Sequence, residues 1–212
     1  MRFKAAIFDL DGTLLDSMGI WDNLGREFLL RHGIDEDIDL DDRLGVVTMH
    51  EALEYLIKEY KLDISIDEAY AETWQIVEDF YRDRVQLKSG AMEFLDYLRD
   101  NNIPCGIITA TELRLIMPAL ERTKLNGYFK EVLSCAELKT SKRTPEIFFK
   151  MSEILGVAPG ETVVFEDALY AAQTAKSVGY QVAAIYDHSE KDPEKLKEIS
   201  DYYCLNWDSL DF

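Results

Sequence analysis

Two aspartates follow the first apolar run of the chain, separated from each other by a single residue. The run at residues 5–8 (AAIF) predicts a buried strand, and Asp9 and Asp11 come directly after it. In extended backbone, residues two apart project to the same side of the chain. Carboxylates at the C-terminal end of a strand in an α/β sheet are suited to hold a hard cation. We therefore predict that Asp9 and Asp11 belong to a metal-binding, chemically active site.

A second acidic pair, Glu166 and Asp167, follows another apolar run at residues 162–165. The carboxyl ends of parallel strands share one edge of a sheet, so both acidic pairs are expected to meet there. Four carboxylates crowded together would repel one another unless a cation lay between them. Metal binding is therefore favoured over simple helix capping for the second pair.

Groups suited to hold an anion occur at two other places. Thr109 and Ala110 follow the apolar run at residues 104–108 and precede the helix predicted at Glu112–Leu120. They offer a hydroxyl and backbone N–H groups suited to an anion. Lys142 precedes another predicted helix, for which Thr144 is the expected N-cap and Pro145 the first residue. Together these groups predict a site that binds a negatively charged substrate beside a metal ion.

The composition limits the classes of partner. The chain has 212 residues, 47% of them hydrophobic, and a formal net charge of −18. Nucleic acids are not expected as partners, because binding a polyanion requires a basic surface.

No apolar stretch reaches the roughly 18 residues of a membrane span, and no signal peptide is recognised, so we expect no membrane partner. Three cysteines without metal-ligand spacing favour reduced thiols in the cytoplasm, and a monomer is expected.

The chain has two regions with different patterns of apolar residues. Residues 17–86 show only helical periodicity, with Asp67 as the expected N-cap of the third helix and a solvated acidic loop at Asp35–Asp42. After Ser89, helical and strand patterns alternate, which is typical of a parallel sheet covered by helices on both faces. We therefore predict an α/β core of residues 1–16 and 87–212 with an inserted all-helical domain of residues 17–86.

The string DLDGTLLDS at residues 9–17 resembles the opening motif of the haloacid dehalogenase-like hydrolases, most of which are phosphatases. The resemblance extends along the chain in the family's motif order, and it implies a Rossmann-like core with a helical cap inserted after the first motif. It implies that Asp9 is the nucleophile and Asp11 the general acid/base. It further implies that Thr109 and Lys142 hold the phosphoryl group, with Ala110 beside them, and that Glu166 and Asp167 are the acidic pair of the last motif.

The cofactor implied by this resemblance is Mg²⁺. Its expected ligands are Asp9, the backbone carbonyl of Asp11 and Asp167, with Glu166 as a ligand or as a neighbour of one. The implied substrate is a small phosphorylated metabolite, which the sequence does not identify. One departure from the family is Arg143, which stands where the family usually has proline after the lysine and leaves Arg143 or Lys139 as alternatives to Lys142.

Two other functions remain open. A phosphomutase resembling β-phosphoglucomutase would use the same core, but those mutases carry a histidine early in the cap, where this chain has Trp21. A non-catalytic binding protein on the same fold would not need every chemical position to be filled, as it is here. The sequence therefore favours a Mg²⁺-dependent phosphatase that acts through an aspartyl-phosphate.

Overall fold

The structure, a computed structural model, describes residues 3–36 and 48–209. Most of the predicted acidic loop at Asp35–Asp42 lies outside these residues, so its solvation stays a prediction. The described residues divide into two compact units, one formed by the chain up to Ser17 and from Val85 onward, the other by Met18–Arg84.

The larger unit is built on a parallel sheet, as predicted. The strands of the described residues are β1 (Ala5–Phe8), β2 (Leu15–Asp16), β3 (Gln86–Leu87), β4 (Cys105–Thr109), β5 (Phe129–Ser134), β6 (Thr162–Glu166), β7 (Gln181–Ile185) and β8 (Tyr202–Cys204). Six of these form one sheet in the order β5-β4-β1-β6-β7-β8, in which every neighbouring pair is parallel. The predicted helix–strand alternation is therefore confirmed.

The position of β1 in the centre of this sheet determines where the acidic residues meet. Phe8, its last residue, lies opposite Ile107 of β4 and Phe165 of β6. The chain passes from β1 to β4 and β5 on one side, then returns to β6 on the other side, so the strand order reverses at β1. Ligands of open α/β sheets bind at the carboxyl ends of strands at such a reversal.

Helices follow the strands of the core, and further helices make up the second unit. The α-helices of the described residues are α1 (Gly19–Asp22), α2 (Leu24–Arg31), α3 (Met49–Glu59), α4 (Ile66–Asp79), α5 (Ala91–Asp100), α6 (Leu113–Arg122), α7 (Cys135–Leu138), α8 (Glu146–Leu155), α9 (Leu169–Ser177) and α10 (Pro193–Ile199). None of them has an apolar stretch long enough to cross a bilayer.

An aromatic cluster lies against the central strands. The rings of Phe8 and Phe165 stack with their centroids 4.8 Å apart, and Phe94 of α5 packs edge-on against Phe165 at 5.1 Å. Trp207 completes the cluster at 5.1 Å from Phe94. Because Trp207 belongs to a single 3₁₀ turn at Trp207–Ser209, the end of the described chain packs against the strand with which the core begins.

The unit Met18–Arg84 is helical and has its own apolar core, which includes Phe28, Leu29 and Leu56. The expected cap at Asp67 is wrong, because α4 begins at Ile66 with Ser65 as its N-cap. The Ser65 hydroxyl accepts the N–H of Glu68, and the Glu68 carboxylate accepts the N–H of Ser65. This reciprocal pair satisfies two amides that a cap at Asp67 would leave open.

One pair of strands was not predicted. Leu15 and Asp16 of β2 pair in antiparallel register with Leu87 and Gln86 of β3. These strands connect the core to the two ends of the helical unit. A strand of two residues is too short to show the alternation of apolar and polar residues by which strands are predicted.

Candidate active site

Three carboxylates meet at the carboxyl ends of β1 and β6. One oxygen from each of Asp9, Glu166 and Asp167 lies within 4.8 Å of the other two. The three residues are 6%, 2% and 5% exposed, respectively. The parallel register creates this cluster, since the Asp9 N–H donates to the Phe165 carbonyl at 2.9 Å and brings Asp9 beside Glu166. The predicted convergence of the first and last acidic motifs is therefore present.

Lys142 is the cation that enters this cluster. Its ammonium group is buried and donates to the Asp9 carboxylate and, at 3.2 Å, to both oxygens of Glu166. The two alternatives take other positions: the Arg143 guanidinium lies 4.3 Å from the centroid of the Tyr170 ring, and Lys139 is exposed. Lys142 is thus the basic residue of this segment that contacts the carboxylates.

The turn that carries Lys142 differs from the prediction. Helix α8 begins at Glu146 and its N-terminus receives no side-chain cap from Thr144. Instead, the N–H and the hydroxyl of Thr144 both donate to the Ser141 carbonyl, at 3.1 and 3.2 Å. Thr144 therefore closes the turn around Lys142 rather than capping the helix.

Lys142 alone does not neutralise the negative charge of the three carboxylates. Burial, and then the charge of Asp9, raise the pKa of Glu166 and of Asp167 well above the ordinary carboxyl range. Burial opposes the charge of Lys142, but Asp9 and Glu166 outweigh it and raise the pKa of Lys142. Three carboxylates against one ammonium leave two negative charges when all are ionised. An all-oxygen donor set with this charge fits a hard divalent cation such as Mg²⁺.

Asp11 is held by a different set of partners. The hydroxyls of Ser17 and Thr111 donate to its two carboxylate oxygens at 2.8 and 2.7 Å, and the Thr109 hydroxyl is a weaker donor at 3.4 Å. Asp9 and Asp11 therefore have distinct surroundings despite their spacing. Sequence reasoning missed Thr111, although its position two residues after Thr109 could have indicated a hydroxyl on the same side of an extended chain.

The second motif lies before helix α6, which begins at Leu113, one residue after its predicted start at Glu112. Thr109 is the last residue of β4 and the exposed Ala110 follows it, so neither residue is at the helix N-terminus. The Thr109 hydroxyl accepts the Thr111 N–H at 3.0 Å, which forms a local turn between the strand and the helix. The anion-binding roles of Thr109 and Ala110 stay predictions that no longer depend on a helix N-terminus.

Two further residues contact the site in a way that the sequence pattern did not indicate. The Thr13 hydroxyl donates to Oδ1 of Asp167 at 3.0 Å. The carbonyl of the same residue accepts the indole N–H of Trp207, also at 3.0 Å. Thr13 belongs to the first motif, but no sequence pattern indicates that Trp207, 194 residues later, contacts it.

Comparisons with known proteins agree with this geometry. The chain is 27% identical over 195 residues to a phosphorylated carbohydrates phosphatase of Thermotoga maritima, covering 92% of this chain and 90% of that protein. It is 28% identical over 201 residues to hexitol phosphatase A of Escherichia coli, covering 94% and 89%.

Solved structures show the same fold. A crystal structure of a Thermotoga maritima protein with a provisional β-phosphoglucomutase name superposes with a TM-score of 0.82. The two chains are 26% identical, and the match covers 96% of this chain and 94% of the other. The family model of the haloacid dehalogenase-like hydrolases matches residues 6–185, from β1 to the end of β7, and so includes each of the converging motifs. With sheet, motifs and family model in agreement, the chain belongs to the haloacid dehalogenase-like hydrolases, a family of enzymes.

Proposed function

We propose that this enzyme is a Mg²⁺-dependent phosphatase that hydrolyses small phosphate monoesters through phosphorylation of Asp9. The observation that carries the proposal is the buried contact of Lys142 with both Asp9 and Glu166, beside Asp167. The named activities of the two relatives support phosphorylated sugars and sugar alcohols as the substrate class.

Asp9 is the proposed nucleophile. A phosphate monoester carries nearly two negative charges, so an anionic nucleophile needs the charge of the phosphoryl group neutralised. Mg²⁺, held by Asp9, the Asp11 backbone carbonyl and Asp167 with Glu166 as ligand or neighbour, would supply that positive charge. The Lys142 ammonium and the Thr109 hydroxyl, with Ala110 beside it, would hold the phosphoryl oxygens.

Asp11 is the proposed general acid and base. It would protonate the leaving oxygen when Asp9 attacks phosphorus, then accept a proton from the water that hydrolyses the aspartyl-phosphate. The Ser17 and Thr111 hydroxyls fix the direction of its carboxylate.

A phosphomutase is the competing function, and residue 21 weighs against it. Trp21 lies in α1, at the position where the β-phosphoglucomutase-like proteins carry a histidine. An indole N–H only donates a hydrogen bond, and the indole is neither deprotonated nor protonated near neutral pH, so Trp21 cannot replace that acid/base group. A purely binding role is disfavoured because Asp9, Asp11 and Lys142 are all present.

Two further expectations belong to this proposal. The helical unit, Met18–Arg84 in the structure and residues 17–86 in the sequence prediction, is proposed as the cap domain that selects the leaving group. The free and buried Cys105, Cys135 and Cys204 support a reducing, cytoplasmic location.

The test is phosphate release from p-nitrophenyl phosphate and from a panel of sugar phosphates, hexitol phosphates, nucleotides and phosphoglycolate. Each substrate is measured with Mg²⁺ and with EDTA. Release that requires Mg²⁺ supports the proposal, whereas no release from any substrate contradicts it. Conversion of β-glucose 1-phosphate to glucose 6-phosphate without net phosphate release would favour the mutase instead.

A further inference from the structure

The 3₁₀ turn at Trp207–Ser209 is tied to the core at two places. The Trp207 ring is fully buried among Phe8, Phe94 and Phe165. At the neighbouring residue, the Ser89 hydroxyl donates to the Asp208 carboxylate at 3.1 Å. The position of the indole is thus fixed by packing and by a second attachment, independently of its own hydrogen bond.

The Trp207 N–H reaches the loop of the first motif. It donates to the Thr13 carbonyl at 3.0 Å, and Thr13 is fully buried. An indole has a single hydrogen-bond donor and no acceptor, so its direction specifies one position for its partner. A buried carbonyl that lost this donor would also bear an uncompensated desolvation cost. The contact therefore fixes the backbone of Thr13.

Fixing the Thr13 backbone also fixes its hydroxyl. Threonine is branched at Cβ, and its χ1 is restricted by the backbone to which it belongs. The Thr13 hydroxyl donates to Oδ1 of Asp167 at 3.0 Å. One residue thereby links the indole of Trp207, through its carbonyl, with the carboxylate of Asp167, through its side chain.

The direction of the Asp167 carboxylate matters for a metal site. One of its oxygens lies within the cluster formed with Asp9 and Glu166. Loss of a partner that orients a metal-binding side chain typically costs about 10- to 100-fold in metal affinity or activity. The bond from Thr13 to Oδ1 restricts the rotation of this carboxylate.

We propose that Trp207 is a positioning residue of the metal site, acting through Thr13 on the Asp167 carboxylate. The inference rests on the metal centre of the proposed function, but it assigns to the C-terminal turn a role in metal affinity that the catalytic motifs do not include. Trp207 acts from the side of the sheet core and touches neither metal nor substrate.

The experiment compares three variants of the full chain by metal binding alone. Trp207→Phe keeps an aromatic ring but removes the N–H, and Thr13→Val keeps the branched side chain but removes the hydroxyl. Phe94→Leu is the matched control, because it weakens the packing around Trp207 and leaves the indole N–H in place. Binding of Mn²⁺ is followed by electron paramagnetic resonance of the free ion, with Mg²⁺ as competitor, and stability is measured by urea unfolding in EDTA.

We expect both Trp207→Phe and Thr13→Val to weaken Mn²⁺ binding about 10-fold, and Phe94→Leu to bind it like the wild type. The double variant Trp207→Phe, Thr13→Val should bind no more weakly than Thr13→Val alone, because both changes interrupt one connection. Wild-type binding by Trp207→Phe would overturn the proposal. So would an equal loss in Trp207→Phe and Phe94→Leu, or additive losses in the double variant.

Failure of the proposed function would be distinguished from failure of this inference. A wild-type chain that binds Mn²⁺ but releases no phosphate would contradict the phosphatase while leaving the binding comparison valid. A wild-type chain that binds neither Mn²⁺ nor Mg²⁺ would overturn both.

Discussion

Lys142 and Asp9 form a buried ion pair between positions 133 residues apart in the sequence. The ammonium group also bonds to Glu166, so the turn before α8 is tied to the ends of two neighbouring strands. The proposed nucleophile is therefore placed by its cation as well as by its strand. This arrangement makes distinct predictions for each of the residues involved.

Lys142→Met should destabilise the metal-free protein by about 3–5 kcal/mol at neutral pH, because it leaves buried carboxylates without their cation. Lys142→Arg keeps the charge and should lose much less. Lys139→Met, a change at an exposed lysine of the same segment, serves as the control. Urea unfolding in EDTA measures the free energies, and equal stability of Lys142→Met and Lys139→Met would show that the buried pair contributes nothing.

Asp9→Asn should abolish turnover of p-nitrophenyl phosphate and leave the fold intact. The amide is close to the carboxylate in size but is a poor nucleophile. Asp16→Asn provides a control, because Asp16 is an exposed carboxylate of the same motif. Initial rates and far-ultraviolet circular dichroism are measured for both variants. Near-wild-type turnover by Asp9→Asn would remove Asp9 as the nucleophile.

Asp11→Asn should lower kcat by about 10²–10⁴-fold, the usual contribution of a general acid or base. Its proposed metal ligand is a backbone carbonyl, which the substitution retains. Mg²⁺ affinity should therefore fall far less than in Asp167→Ala. The assignment would be contradicted by normal turnover combined with a loss of Mg²⁺ as large as that of Asp167→Ala.

The stability of the metal-free protein should decrease as the pH rises from 5 to 8. The pKa values of Glu166 and Asp167 are raised above their ordinary values of 4.5 and 3.8 by burial and by Asp9. The folded state therefore binds more protons than the unfolded state in this range. The stability that these groups contribute is fully present below their unfolded pKa and is lost as the pH rises through the raised values.

Added Mg²⁺ should counteract this loss, so it should raise the unfolding free energy more at pH 8 than at pH 5. Urea unfolding with EDTA or Mg²⁺ across this range measures both effects, and Glu166→Gln should flatten the profile in EDTA. A metal-free protein that gains stability between pH 5 and 8 would contradict the account of the cluster.

The sequence anticipated the elements with regular patterns. The alternation of helices and strands that was predicted after Ser89 is present, because its elements are periodic runs between turn residues. The acidic cluster was anticipated because strands of one parallel sheet share an edge. Thr144 and Asp67 were wrongly expected to be N-caps, because Thr144 donates to the Ser141 carbonyl instead and the N-cap of α4 is Ser65. The bond from Trp207 to Thr13 joins positions 194 residues apart, which no local pattern reports.

The central place of β1 also affects how the chain folds. This strand is synthesised first, yet its neighbours β4 and β6 lie at Cys105–Thr109 and Thr162–Glu166. Pairing over such separations makes folding slow, because the loop entropy is lost before the contacts form. All four residues of β1 are fully buried in the finished sheet. On the ribosome this strand lacks its neighbour β6 until Glu166 has been synthesised, and until then its apolar side chains are open to aggregation and to chaperones.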